Sequence, residues 1–125
     1  MGTVLITGGY GLVGSQFKGS DYIRYSSKEY DLRDAKSVDD MFAALDQAPN
    51  RLDGVIHTAG KVGGLGGNMN HKGEFFYDNI MMNTNMVEAC RKFGIKNMVV
   101  FLSTCIFPDD VEYPLTESKI HLGPP

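Results

Sequence analysis

The feature that most constrains the fold is a short apolar run near the N-terminus, followed at once by three glycines. Val4-Leu5-Ile6-Thr7 is typical of a buried parallel strand, and Gly8, Gly11 and Gly14 follow it. Glycine at these points lets the chain turn sharply, lets the backbone approach a pyrophosphate, and lets a helix pack close to its strand. The pattern predicts a strand, a tight turn and a helix whose N-terminus faces phosphate.

Composition and charge narrow the class of protein. The chain has 125 residues, 42% hydrophobic and 22% charged, which is typical of one soluble globular domain. Its net charge is -3 without a basic run, so we expect no nucleic-acid partner. No apolar stretch reaches membrane-spanning length, and the N-terminus enters a strand directly, so we expect no membrane partner, no signal peptide and a cytoplasmic location. Two cysteines and three scattered histidines predict neither a metal site nor a disulfide scaffold.

Hydrophobic patterning predicts alternating strands and helices. The expected strands are 4–7, 22–25, 54–57 and 98–102, and the expected helices are 11–18, 34–48 and 74–93. Ser37 is the expected N-cap of the second helix and Pro49-Asn50 its end, while 60–73 and 107–125 read as loops. The alternation predicts an α/β fold with a Rossmann-type parallel sheet, strand order 3-2-1-4, half of a doubly wound fold.

Ligands of such sheets bind at the carboxyl ends of the strands. Four segments are expected there, namely 7–14, 26–28, 58–61 and 103–105. At the tip of the second strand, two hydroxyls and Lys28 favour a 2′-phosphate, whereas an acid would repel one. This favours NADP over NAD, although Glu29 is adjacent and Lys28 is alternatively a solvated surface lysine.

The third helix allows two interpretations. Phe76, Ile80, Thr84 and Val87 recur at helical spacing, Gly94 stands where a C-terminal cap is expected, and three methionines widen the apolar surface. The helix is therefore either fully buried in the core or has a second face against a partner subunit. The second interpretation predicts a homodimer through the 74–93 helix.

Longer motifs make the whole chain resemble the GDP-L-fucose synthases, a family in the extended branch of the short-chain dehydrogenase/reductases. The resemblance rests on the Gly-x-x-Gly-x-x-Gly turn and on the following segments: Ser26-Ser27-Lys28, Asp31-Leu32, Lys61-Val62-Gly63-Gly64-Leu65, Asn79, Asn85, Leu102-Ser103-Thr104-Cys105-Ile106-Phe107-Pro108-Asp109, Tyr113-Pro114 and 120–125. It implies NADP as cofactor and a GDP-sugar, GDP-4-keto-6-deoxy-mannose, as substrate.

The resemblance also implies roles for single residues. Ser103 would bind the 4-keto oxygen, and Cys105 would act as base in the epimerisation, although an inert buried thiol is the alternative for Cys105. The implied cofactor-binding residues are Gly8, Gly9, Tyr10, Gly11, Leu12, Val13, Gly14, Ser27, Lys28, Asp31, Leu32, Thr58, Ala59, Lys61, Leu102 and Ser103.

One part of the family pattern is missing. None of the six tyrosines has a lysine four residues later, so the Tyr-x-x-x-Lys pair is absent, and so is a substrate domain. We therefore expect residues 1–125 to be the N-terminal, NADP-binding part of a longer enzyme, weak in cofactor binding and inactive alone, with the fourth strand left as an apolar edge. A nucleotide-sugar 4-epimerase or 4,6-dehydratase, or a non-catalytic dinucleotide-binding fragment, is the alternative.

Overall fold

The fold is a four-stranded parallel sheet with three helices, seen in a computed structural model that describes residues 2–47 and 51–124. The strands are β1 (Thr3–Thr7), β2 (Tyr22–Arg24), β3 (Leu52–His57) and β4 (Asn97–Val100), and the helices are α1 (Ala35–Asp46), α2 (Gly64–Asn70) and α3 (Lys72–Lys92). Short 3-10 turns occupy Gly14–Gln16, Thr104–Ile106 and Glu117–Lys119. The predicted α/β Rossmann-type fold is confirmed.

The predicted strand order 3-2-1-4 is wrong, because the observed order is β2-β1-β3-β4. β2 and β3 pair with opposite edges of β1, so β2 is an edge strand and β3 lies inside the sheet. Burial gives the reason. Val55 and His57 of β3 are almost completely buried, whereas all three residues of β2 are half-buried. A three-residue strand that carries Arg24 tolerates an edge position, and the more apolar β3 does not.

The hydrophobic core lies between the sheet and the helices α1 and α3. Leu5 and Val55 of the sheet form one buried cluster with Phe42 of α1 and Met86 of α3. Burying one such side chain stabilises the fold by about 1.5–3 kcal/mol. Helices α1 and α3 also contact each other, so this single layer fixes α3 relative to the ends of β1 and β3.

Helix α1 begins one turn earlier than its predicted cap implies. Asp34, not Ser37, is the N-cap, and its carboxylate accepts hydrogen bonds from the amides of Lys36 and Ser37. Ser37 instead accepts a hydrogen bond from the amide of Asp31, at 2.9 Å between N and Oγ. The helix ends at Asp46 with Gln47 as its C-cap, and the predicted stop at Pro49-Asn50 lies outside the described residues.

The predicted first helix, 11–18, is reduced to the 3-10 turn Gly14–Gln16. The chain reaches β2 at Tyr22, and Gly19 already turns with a φ of +146°. A connection this short leaves no room for several helical turns. A three-residue turn has little macrodipole, so any anion here must be held mainly by individual amides.

The prediction of a loop over 60–73 is wrong for Gly64–Asn70, which form α2, and for Lys72 and Gly73, which begin α3. The ring of Phe75 lies directly against Gly63, where an added Cβ would be 2.8 Å from it. Phe75 also lies near Gly67, where the corresponding distance is 3.5 Å. Packing of an aromatic ring on bare backbone explains a helix that glycine disfavours locally.

Helix α3 buries a different face from the predicted apolar stripe. Gly94 ends it with a φ of +69°, and the amides of Gly94 and Ile95 donate to the carbonyls of Arg91 and Cys90, as in a Schellman motif. The buried residues are Asp78, Met86, Ala89 and Cys90. The predicted stripe, Phe76, Ile80, Thr84 and Val87, is exposed.

Strand β4 is shorter and less buried than predicted. It ends at Val100, and Val99 and Leu102 are 56% and 72% exposed, so the prediction of a buried strand is wrong. The prediction that it forms an apolar edge is confirmed. Within residues 2–47 and 51–124, none of the helices combines the length and apolar character needed to cross a bilayer.

Candidate functional site

The carboxyl ends of the parallel strands bring the predicted site segments to one edge of the sheet. Thr7 of β1 pairs with His57 of β3, and His57 pairs with Val100 of β4. The segments 8–14, 58–61 and 101–105 therefore leave the sheet side by side. Arg24 pairs with Ile6, so the segment 26–28 follows at the same edge.

The three glycines of the first turn have different structural reasons. Gly8 has a φ of +65°, and a Cβ there would lie 2.8 Å from the backbone of Ala59. A Cβ on Gly14 would lie 2.3 Å from the carbonyl oxygen of Gly8. Gly11 closes the turn by donating its amide to Gly8 at 2.8 Å, and a Cβ there would meet only that oxygen, at 3.1 Å. The fold itself therefore requires Gly8 and Gly14, whereas Gly11 leaves its side of the turn open.

A cavity of about 460 Å³ lies between this turn and the loops that follow β2 and β3. The predicted cofactor-binding residues that line it are Gly8, Ser27, Asp31, Leu32, Ala59 and Lys61. The predicted residues that do not line it are Gly9, Tyr10, Gly11, Leu12, Val13, Gly14, Lys28, Thr58, Leu102, Ser103 and Cys105. Its volume lies within the usual range of small-molecule sites and suits the adenosine half of a dinucleotide.

Two asparagines of α3 each hydrogen-bond to the backbone of a loop that lines the cavity. Asn79 accepts a hydrogen bond from the amide of Lys61 at 2.7 Å and donates to its carbonyl at 2.9 Å. Asn85 donates to the carbonyl of Leu32 at 2.9 Å. These contacts give both asparagines a positioning role, since each fixes a loop whose side chains line the cavity.

Charged side chains form a network along one wall of the cavity. The buried carboxylate of Asp78 accepts from Lys61 Nζ at 2.7 Å and lies 3.5 Å from Arg33 Nη1. Lys61 also pairs with Glu74, and Arg33 pairs with Asp31 at 2.7 Å. The hydrogen bond from Lys61 lowers the pKa of Asp78, and the hydrogen bonds from Arg33 lower the pKa of Asp31. Both carboxylates therefore stay ionised, and their negative charges balance the positive charges of Lys61 and Arg33.

The turn after β2 draws Glu29 back onto its own backbone. The carboxylate of Glu29 accepts from both the amide and the hydroxyl of Ser26, each at 2.8 Å. These bonds, the one from the amide first, lower the pKa of Glu29. Glu29 does not line the cavity, and Lys28 beside it is exposed.

A chain of hydrogen bonds through the buried His57 ties β1 to α3. His57 lies 2.6 Å from Thr7 Oγ1 through Nδ1 and 2.9 Å from Asn83 Oδ1 through Nε2. An amide oxygen only accepts, so Nε2 is assigned the proton and Nδ1 accepts from the Thr7 hydroxyl. Burial lowers the pKa of His57, which favours this neutral form.

Ser103 and Cys105 follow β4 in a short capped turn. Ser103 Oγ accepts from the amide of Cys105 at 3.1 Å, which leaves its own hydroxyl proton free to donate. Cys105 is exposed, so it is not the inert buried thiol. That description fits Cys90 instead, because burial raises the pKa of Cys90 to about 11.

Sequence reasoning missed eight residues that line the cavity, which are Leu5, Ile6, Tyr25, Tyr30, Arg33, Met41, Asp78 and Met82. Asp78 had a usable signal, because it lies on the same i, i+4 row of α3 as Met82 and Met86. An acid on a buried row requires a partner. Arg33 had no such signal, since it meets Asp78 only in the folded chain. The described part of the chain contains no group of acids, histidines and cysteines arranged to hold a metal ion.

Comparisons with known proteins agree with this geometry. The NAD dependent epimerase/dehydratase family matches residues 4–125. The GDP-L-fucose synthase of Dictyostelium discoideum is 41% identical over 98% of this chain, and the chain covers 40% of that protein. A probable GDP-L-fucose synthase of Drosophila melanogaster is 37% identical over 100% of this chain, and the chain again covers 40% of that protein. A GDP-L-fucose synthetase from Naegleria fowleri, crystallised with NADP, is 44% identical in sequence and superposes with a TM-score of 0.77. The match covers 99% of this chain and 38% of the Naegleria fowleri chain.

Proposed function

The chain belongs to the NAD dependent epimerase/dehydratase family, and from that premise we propose that it is the N-terminal, NADP-binding part of an enzyme that converts GDP-4-keto-6-deoxy-mannose to GDP-L-fucose. The chain spans about two fifths of the curated relatives it matches. The observation that carries the proposal is the meeting of the glycine turn and the lined cavity with Ser103 and Cys105 at one edge of the sheet.

The cavity residues fit the adenosine half of NADP. Gly8 and Gly14 bring the turn so close to its neighbours that no Cβ fits, and Gly11 leaves an open side for a pyrophosphate. Asp31, Leu32, Ala59 and Lys61 all line the cavity. Lys28 and Ser27 would meet a 2′-phosphate, while Glu29 is held on Ser26. A relative crystallised with NADP supports the same cofactor here.

The side chains after β4 suit a ketone substrate. Bound NADPH supplies a hydride. Ser103 already accepts an amide hydrogen bond and can donate its own proton to the 4-keto oxygen, which stabilises charge that develops there. The exposed thiol of Cys105, as thiolate, can remove a proton α to the ketone. The Tyr-x-x-x-Lys pair, from which the family implies the proton donor to the alkoxide, does not occur in residues 1–125.

A second copy of this chain is part of the proposal. Phe76 and Ile80 are 70% and 45% exposed on the face of α3 that turns away from the core. Such a stripe at helical spacing suits self-association of two helices. We expect light scattering to report a dimer and Phe76→Glu to give a monomer, whereas Lys72→Glu at the exposed start of the same helix leaves the dimer. A monomeric wild type contradicts this part.

We expect a cytoplasmic location and no nucleic-acid or membrane partner.

Cofactor binding by the 125-residue chain is the first test. Isothermal titration with NADPH and NADH should give weak binding with a preference for NADPH, because Lys28 would pair with the additional phosphate. Lys28→Met should remove that preference, whereas Lys36→Met, on the exposed side of α1, should not. Equal binding of both dinucleotides by the wild type contradicts the assignment of NADP.

Activity can be tested in a chimera that joins residues 1–125 to the remaining part of the Naegleria fowleri enzyme. It should oxidise NADPH with GDP-4-keto-6-deoxy-mannose and release GDP-L-fucose. Cys105→Ser should abolish proton exchange at the epimerised carbons more than hydride transfer, and Cys90→Ala serves as the thiol control. Equal loss of both steps removes the role of Cys105, and turnover of other nucleotide sugars alone would support the 4-epimerase or dehydratase alternative.

A further inference from the structure

Arg33 lines the cavity with every nitrogen of its guanidinium group engaged. Nε and Nη2 donate to the two carboxylate oxygens of Asp31, at 3.0 and 2.7 Å. Nη1 lies 3.5 Å from Oδ1 of Asp78 on the other side. The guanidinium is therefore fixed in a plane between Asp31, two residues away, and Asp78, 45 residues away in sequence.

This arrangement makes Arg33 a poor ligand for phosphate. The fork that would bind a phosphate in two parallel hydrogen bonds is already filled by Asp31. Two carboxylates, Asp31 and Asp78, adjoin this guanidinium and would repel an approaching phosphate. Asp78 is buried and stays ionised through Lys61, so it does not release Arg33.

The flat face of the guanidinium is the part left for a ligand. Tyr25, Tyr30, Leu32 and Met82 line the same cavity and make it largely apolar. A guanidinium fixed in its plane stacks well on an aromatic ring, because cation–π attraction adds to the flat contact and no side-chain freedom remains to be lost. A planar base in this cavity would therefore meet a ready platform.

We propose that Arg33 binds the adenine base of the dinucleotide by stacking, and that its ion pairs with Asp31 and Asp78 position it for this. The inference rests on the proposed function, since it assigns one residue of the same cofactor site. Arg33 then contributes equally to NADP and NAD affinity, and the choice between them is left to the turn at Ser27 and Lys28.

The test compares Arg33→Lys, which keeps the charge and loses the plane, with Arg33→Met, which loses both. Titration calorimetry measures the affinity of the 125-residue chain for NADPH, NADH and 2′,5′-ADP. Both variants should weaken all three ligands by about tenfold, equivalent to about 1.4 kcal/mol. Arg91→Lys and Arg91→Met are matched controls, because Arg91 forms the same two-bond pair with Glu88 away from the cavity. Thermal melting of each variant separates lost binding from lost folding.

Each outcome decides the inference. A uniform loss in both Arg33 variants, with unchanged Arg91 controls, supports stacking. Full affinity in Arg33→Lys, or a loss confined to NADPH and 2′,5′-ADP, would mean that the charge of Arg33 matters and would overturn the stacking inference. Unchanged affinity in both Arg33 variants would also overturn it. Failure of the wild type to bind any of the three ligands overturns the proposed function, and the inference with it.

Discussion

The first glycine turn gives the sharpest prediction, because two of its glycines differ in what surrounds them. In Gly14→Ala, the new Cβ would lie 2.3 Å from the Gly8 carbonyl oxygen and 2.8 Å from two further backbone atoms. These distances are roughly 1 Å short of ordinary contact, and backbone cannot rotate away as a side chain can. Gly11→Ala would meet a single atom at 3.1 Å, at an exposed position with negative φ.

The two variants should therefore separate folding from binding. Gly14→Ala should lower the free energy of unfolding by about 1–3 kcal/mol, as overpacking does, and lower Tm by about 3–15 °C in a domain of this size. Gly11→Ala should change the free energy of unfolding by less than about 0.5 kcal/mol, since mild strain is offset by a less flexible unfolded chain. Its Cβ would occupy the space of the pyrophosphate, so NADPH affinity should fall at least about tenfold, or about 1.4 kcal/mol.

The assay is urea and thermal unfolding of both variants beside the wild type, together with NADPH titration. An unchanged Tm in Gly14→Ala would refute the claim that this turn is packed backbone against backbone. Full NADPH affinity in a folded Gly11→Ala would refute the location of the pyrophosphate. Equal destabilisation by both would mean that Gly11 is structural as well.

Three further predictions concern the core and the positioning residues. Met86→Ala should cost about 2–5 kcal/mol in urea unfolding, because its side chain is fully buried, whereas Val87→Ala next to it should cost less than about 0.5 kcal/mol; similar costs would contradict the orientation of α3. Burial lowers the pKa of His57 below its usual 6.5, so the unfolded chain takes up the proton first and stability should fall as the pH drops through 6.5 towards the folded pKa; a His57→Gln variant with the same pH slope would disprove this. Asn79→Ala should weaken NADPH binding with little loss of Tm, because it releases the loop at Lys61, and unaltered affinity would count against its positioning role.

Agreement between sequence and structure is best where local chemistry decides. The apolar run before Gly8 becomes β1, and Gly94 ends α3 with a positive φ, because each depends on a few neighbouring residues. The agreement between sequence and structure is weaker where local signals compete with packing. The glycine-dense segment 64–70 forms a helix because Phe75 packs on its backbone, and no local preference reveals that contact.

The faces of α3 illustrate the same limit. Helical spacing finds both the row with Phe76 and the row with Met82 and Met86, but spacing does not tell which row the sheet covers. The contacts of α1 and β3 decide it, and they bury Asp78 with Met86. The predicted stripe is consequently the exposed one.

The fold class, the glycine turn and the segments that meet at the strand ends follow from the amino-acid sequence, because parallel strands carry their loops to a common edge. Three features become visible only in the folded chain: β3 pairs with β1, Asn79 and Asn85 hold loops that line the cavity, and Arg33 lies between Asp31 and Asp78. These contacts join residues far apart in the chain. Their energies depend on which strands are neighbours and which helix face is covered, and neither is encoded in a local pattern.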